Sequence, residues 1–372
     1  MLTFVLFVVV FGGMVFVHEF GHFIVARLFK IPVEEFGFGF PPRVATLFKW
    51  QGTEFTLNAL PLGGFVRPRG ENDPDVPDGL AAANPWKRLG VLFAGPLMNL
   101  LTAIVVLSFV IVQAGIPVPG TVKVAQVTSD SPAEKAGLQD NDIIKAVNGT
   151  PVSDVDATRI LIRKNLDKPV TLLIERNGRQ LTIIATPLSS RTVEEGALGV
   201  ALGYPTRPAG LGEAVTGGVT LTGLQALNIL YLPIGLIQGA IAPDEARLVG
   251  LKGIYDFFGM AIQRDTQTRA QASQQSSQPE SGGAPVPTPQ PSNYVLELVA
   301  MLSISLGVFN LFPIPALDGG RILFTLPEIL FRRRIPPRFE NAVNTVAFVL
   351  LIGLMAVVNV MDFVNPISTK LP

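Results

Sequence analysis

Four apolar runs, each long enough to cross a bilayer as a helix, confine this 372-residue chain to a membrane-embedded architecture. A spanning helix needs about 20 predominantly apolar residues, because lipid offers the backbone no hydrogen-bond partners. The first run covers residues 2–29 and carries no charge before Glu19. The second follows Trp86-Lys87-Arg88 and covers 89–113, the third covers 298–317, and the fourth 342–360. Only 16% of the residues are charged, against roughly a quarter in soluble domains, so the apolar blocks are not the core of one large soluble protein. The N-terminal run lacks a basic leader and a small-residue cleavage site and exceeds a signal-peptide core, which predicts a retained helix.

Basic residues orient the runs. Arg27, Lys30, Arg43, Lys49, Arg67, Arg69, Lys87 and Arg88 lie between the first two, and Arg332, Arg333, Arg334 and Arg338 between the last two. Positive charge marks the cytoplasmic side, so the N-terminus, residues 114–297 and the C-terminus are expected outside. One uncharged stretch, Ala214–Pro243, is long enough to be a fifth span, but a full crossing would put Arg332–Arg334 outside. With its Gly and Thr content, it is expected to lie in the outer interface or re-enter it, within an amphiphilic segment over 208–262.

The intervening residues 121–202 read as a small, mostly β domain with two helices. Ser131-Pro132-Ala133-Glu134 is a capping box ended by Gly137, a second helix is expected near 154–165, and Asn177-Gly178 joins strands 170–175 and 180–185 as a hairpin. Residues 264–293, rich in Gln, Ser, Pro and Thr, are expected to be a disordered tether. Net charge is zero, which offers nothing to a nucleic acid. Cysteine is absent, so any metal must be held by His, Asp or Glu.

The two histidines of the chain both fall in His18-Glu19-Phe20-Gly21-His22. On a helix, residues four apart share a face, so both imidazoles can meet one metal ion, and Glu19 is placed to act as general base. The pattern alone also fits two histidines on a polar helix face. Ionisable groups at membrane depth are costly and are functional by default, which favours the metal. A catalytic zinc takes three protein ligands, and the third must here be a carboxylate. Asp318 is the leading candidate, at the end of a run interrupted by Pro313, Pro315, Gly319 and Gly320; a helix-capping aspartate is the plainer alternative, and Glu297 and Glu328 are weaker candidates.

These motifs, with Asn310-Leu311-Phe312-Pro313-Ile314-Pro315-Ala316-Leu317-Asp318-Gly319-Gly320, closely resemble the site-2 protease family of intramembrane zinc metalloproteases, and within it the bacterial regulator-of-sigma-E protease group. Ala59–Val66, with Gly63 and Gly64, resembles the family's membrane-associated β-loop, and Ala94-Gly95-Pro96-Leu97-Met98-Asn99 matches its second span. Residues 131–138 and 142–144 resemble a circularly permuted PDZ domain, whose carboxylate-binding loop would be Gly196–Val200 around Gly199, although an ordinary turn fits there equally. The chain departs from the family in lacking the proline of the element at Leu251–Asp256 and in carrying the 264–293 stretch.

The resemblance implies a multi-pass protein of a bacterial cytoplasmic membrane, with its site toward the cytoplasm and its PDZ-like domain outside. Zn2+ would sit on His18, His22 and Asp318, with Glu19 catalytic and Asn310 holding substrate backbone or packing between helices. The implied substrates are single-span membrane proteins, such as anti-sigma factors already cut once or remnant signal peptides, their exposed C-termini meeting the PDZ-like domain. Three other readings stay open: a membrane-anchored protease of soluble proteins, a non-catalytic PDZ scaffold and a metal transporter.

Overall fold

The computed structural model describes residues 2–191, 196–241, 247–276 and 293–365. The chain divides into two compact units, one built from residues 1–110, 211–271 and 291–371, the other from 111–210 with 272–290 and the last residue. The first unit opens with helix α1 (Leu2–Leu28), followed by strands β1 (Val33–Trp50) and β2 (Thr53–Pro68) and helix α2 (Pro85–Ala114). Both long strands fold back on themselves. Phe36 pairs with Val66 on one side and with Phe55 on the other, while 43–50 pairs with 53–58. The result is a four-segment sheet in which 64–68 is an outer edge.

Aromatic packing fixes this sheet on α1. Phe36 is buried between Phe16, Phe23 and Phe55, in a cluster that also takes in Ala26, Ile31, Val33 and Val91. Glu35 is buried too, and its carboxylate is met by Arg43 at 2.7 Å, Arg67 at 2.6 Å and the Thr56 hydroxyl at 2.8 Å. A buried charge persists only when it is paired in this way. On its other side α1 runs antiparallel to α2 at very close range: a β-carbon on Gly21 would stand 2.4 Å from the Ala94 carbonyl oxygen. Small residues at the crossing are how membrane helices gain packing energy without a hydrophobic drive.

The second unit holds a sheet of strand order β8-β7-β5-β4-β9, with β6 (Thr150–Pro151) beside β5. These strands are β4 (Val122–Val127), β5 (Ile143–Val147), β7 (Val170–Arg176), β8 (Arg179–Ala185) and β9 (Val200–Gly203); β3 (Ile116–Pro117) pairs with β10 (Thr206–Arg207). Helices α3 (Pro132–Lys135) and α4 (Val155–Arg163) cover a core of Val122, Val124, Ile144, Leu172, Ile174 and Leu198. The Ser131 hydroxyl accepts from the Glu134 amide at 3.2 Å, while the Glu134 carboxylate reaches back one residue further than a capping box requires, to the Asp130 amide. Removing the buried Ser131 hydroxyl by Ser131→Ala should cost about 1 kcal/mol, read as faster hydrogen exchange at the Glu134 amide. Asp154 caps α4; the Ala157 amide and then the Tyr204 hydroxyl hold its carboxyl below the usual range. With a depressed folded value, that cap is fully present at neutral pH and weakens only as acid protonates the group.

The hairpin turn at Asn177-Gly178 has both residues at positive φ, 50° and 75°, the geometry of a type I′ turn. Gly199 also has positive φ (72°), and a β-carbon there would lie 2.3 Å from that of Ser131. Glycine is required at this position whatever the loop binds.

Returning to the first unit, the structure differs from the sequence expectation at three places. The segment expected in the outer interface contains one continuous helix, α5 (Leu211–Ile237), and among the described residues five helices, where four spans were expected, are long and apolar enough to span a membrane. Two of its threonines bond their hydroxyls to the helix itself: Thr216 donates to the Gly212 carbonyl and Thr220 to the Thr216 carbonyl. Gly218 then lets α5 approach α2, its Cβ position being 2.4 Å from Ser108 Oγ.

The second difference is α6 (Leu251–Ser276), which turns the first part of the expected tether into helix; residues 277–292 lie outside the described ones. Gln, Ala and Arg are good helix formers, and composition alone underrated them. The start of α6 is pinned by the buried Asp362, which accepts from the Gly250 and Gly253 amides at 2.8 and 3.1 Å and meets Arg247 at 3.0 Å.

The third difference splits the expected run 298–317. Helix α7 (Tyr294–Leu311) stops before Pro313, the chain turns through Ala316 at φ 74°, and a separate helix α8 (Asp318–Phe331) begins at Asp318 before α9 (Pro337–Val364). Proline supplies no amide donor and clashes with a preceding helical turn, so the break is local in origin.

Candidate metal centre

Three side chains from α1 and α8 converge. His18 and His22, one turn apart, bring their Nε2 atoms to 3.2 Å, and Asp318 Oδ2 lies 3.1 Å from the first and 3.4 Å from the second. Ligand atoms about 2.0–2.2 Å from a tetrahedral ion stand about 3.3–3.6 Å from one another. The observed triangle is therefore already close to the size a zinc ion needs, and two nitrogens with one carboxylate oxygen are a donor set that zinc accepts. Among the described residues this is the one cluster of three or more His, Cys, Asp or Glu side chains able to hold a metal. The alternative carboxylates are elsewhere: Glu328 is paired with Arg88 at 2.8 Å, and Glu297 sits in the first turn of α7.

The polypeptide around the triangle explains how it is held. His22 Nδ1 donates to the Val91 carbonyl at 2.7 Å, which fixes that ring's tautomer and leaves Nε2 free for a metal. Gly95 of α2 backs the site so tightly that a β-carbon would be 2.2 Å from His22 Nε2 and 2.8 Å from His18 Nε2. Gly319 and Gly320 let the first turn of α8 fold against the 311–315 turn; β-carbons there would meet the Phe312 and Ile314 carbonyls at 2.1 and 2.4 Å. One turn on, Arg321 pairs with Glu71 and bonds Asn72 Oδ1 at 3.1 Å, tying α8 to the loop after β2. Gly95→Val should cut bound zinc below a tenth of the wild-type level in the purified protein, because the added methyls occupy the space of the Nε2 atoms.

Glu19 occupies the same cavity of about 250 Å³, and its carboxylate accepts from the Val66 amide at 3.0 Å. The Val66 amide therefore faces outward from the sheet, and by strand alternation so does that of Gly64. Gly64 lies 3.9 Å from Glu19 Cγ by its Cβ position, whereas Gly63, at φ 117°, forms the turn over Phe40. Asn310 lines the cavity, with Nδ2 donating to its own helix at Leu306 O, 2.9 Å away. Gly199 belongs to the second unit. Gly95, Asn99, Arg321 and the Val91 carbonyl had no role assigned from the sequence. The Ala-Gly-Pro-x-x-Asn motif carried a signal for Gly95 and Asn99, but a backbone acceptor leaves none.

A paired-histidine and carboxylate centre next to a glutamate, set among helices that can span a membrane, defines a membrane metallohydrolase. The chain matches the profile of Peptidase family M50 over residues 6–354 and belongs to that family, the site-2 proteases. A protein of Clostridium perfringens named as a zinc metalloprotease is 33% identical over 363 residues, covering 96% of this chain and 97% of its own. A Campylobacter jejuni relative named in the same way is 30% identical, covering 94% and 89%. The zinc metalloprotease RasP of Oceanobacillus iheyensis is 27% identical, covering 96% and 98%. The chain is thus a zinc metalloprotease of the site-2 type.

Proposed function

We propose that this protein is an intramembrane endopeptidase that cuts the membrane-spanning segments of other proteins, with zinc held by His18, His22 and Asp318. The observation that carries the reading is that this triad and Glu19 share one cavity between helices long enough to span a bilayer. Zinc supplies Lewis acidity to the peptide carbonyl and acidifies water. Glu19 takes the proton from the attacking water and delivers it to the leaving amine, a transfer its position beside the triad allows. A helical substrate hides its carbonyls in its own hydrogen bonds and must be unwound first. The outward backbone groups of Gly64 and the Val66 carbonyl offer the unwound segment an edge to pair with, and Asn310 lines the same space.

The chain's course supports a side for each part. Since α1 and α2 are antiparallel, the end of α2 is on the side where α1 begins. Residues that follow α5 return there: Tyr255 and Phe258 pack on Phe7 near the start of α1, and Gly250 on Asp362 near the end of α9. Thus α5 and the segment after it leave the chain on the side from which it came. Arg332–Arg334 then share the cytoplasmic side with Arg67–Arg88, and residues 121–202 are extracytoplasmic. There the PDZ-like region, through the loop at Gly199, would take newly exposed C-termini of single-span proteins already cut once, or exclude intact ectodomains.

The test is to reconstitute the protein in liposomes with a single-span substrate and map the product termini by mass spectrometry. New termini inside the apolar segment are expected; termini confined to soluble flanks would overturn the reading.

A further inference from the structure

Asn99 sits at the centre of α2, fully buried, in a motif to which neither the fold nor the chemistry has so far given a role. Its amide lies 3.1 Å from His18 Nδ1, the ring nitrogen that is not part of the metal triangle. His18 Nε2 is the atom that converges with His22 Nε2 and Asp318 Oδ2, so a metal ligand at His18 must be Nε2. The proton of the neutral ring is then on Nδ1, and a buried N–H needs an acceptor. The Asn99 amide is the group in place to provide it. Its oxygen and nitrogen exchange by a half-turn of the side chain, an orientation set by the hydrogen-bond network. With nitrogen toward His18, two donors, Nδ2 and Nδ1–H, would face each other; with oxygen toward His18, that atom accepts from Nδ1–H, and Nδ2 takes the place of Oδ1.

We infer that Asn99 is a positioning residue, its side-chain oxygen accepting from His18 Nδ1–H and so fixing the tautomer and ring plane in which His18 presents Nε2 to zinc. The inference rests on the metal site proposed above. It completes a pair: the Val91 carbonyl does for His22 what Asn99 does for His18, and both come from α2. The neighbouring helix holds Asn99 still. Ser303 of α7 donates to the Asn99 backbone carbonyl at 2.9 Å, and Gly307 brings α7 so near that a β-carbon there would be 3.4 Å from Asn99 Cβ. Outer partners of metal-bound histidines typically set affinity by 10–100-fold.

The experiment is zinc affinity of the full-length, detergent-solubilised protein, measured by chelator competition for wild type, Asn99→Leu, Asn99→Asp and His22→Ala. Leucine matches the volume and lacks the acceptor; aspartate keeps the acceptor but adds a charge that a purely packing role would tolerate less well than leucine. The expected result is a Kd raised about 10–100-fold in Asn99→Leu and about the wild-type value in Asn99→Asp. Unchanged affinity in Asn99→Leu, or equal loss in both variants, would overturn the inference while leaving the site intact. Wild-type zinc retention by His22→Ala would instead remove the metal site itself, and the role of Asn99 with it.

Discussion

Replacing Glu19 by glutamine should lower turnover of a membrane-spanning reporter by roughly 10²–10⁴-fold while zinc stays bound. Glutamine has nearly the shape of glutamate, but it cannot take a proton from water near neutral pH. It can still accept from the Val66 amide through its Oε1, so the tie between α1 and the edge strand survives. Glu19 is not one of the three atoms of the metal triangle, which is why binding and turnover should separate. The two measurements are zinc content by atomic absorption and cleavage by gel shift in the same membranes. Residual cleavage near the wild-type rate would remove Glu19 from the proton path.

The second large effect is loss of the metal itself. Asp318→Ala takes away the single carboxylate of the triangle and leaves two histidines on one helix, 3.2 Å apart at Nε2. Two imidazoles without a third protein ligand make a far weaker zinc site, and the variant should emerge from purification with less than about a tenth of the wild-type zinc and no cleavage. Asp318→Glu is a sharper probe. It retains the charge but lengthens the side chain inside a turn that the Gly319 and Gly320 contacts make rigid, so zinc should fall there as well. Stoichiometric zinc in Asp318→Ala would assign the third ligand elsewhere.

Much of this was legible in the sequence because each signal was local. An uncharged run of helical length announces a span, and two histidines four apart announce one face of a helix. What was not legible depended on how distant segments meet. Ala214–Pro243 was expected in the outer interface because a full crossing would put Arg332–Arg334 outside; how its helix α5 packs, with Thr216 and Thr220 bonded to its own carbonyls and Gly218 in contact with α2, depends on a neighbour no local pattern records. Asp318 was expected to end a span, whereas it begins α8, because the Phe312–Leu317 turn separates the two helices. Val91 enters the site by a carbonyl, which no side-chain pattern records. Asn99 was visible only as a member of a motif; its meaning depends on a ring nitrogen from a residue 81 positions away.

The proposed chemistry depends on one arrangement, two imidazoles and one carboxylate sharing a zinc ion. Zinc K-edge X-ray absorption on the purified full-length protein tests it most directly. The predicted spectrum is that of a four-coordinate ion with nitrogen and oxygen neighbours at about 2.0–2.2 Å and the outer-shell scattering of two imidazole rings. A spectrum with fewer than two imidazoles, or a six-coordinate shell of oxygens alone, would contradict it.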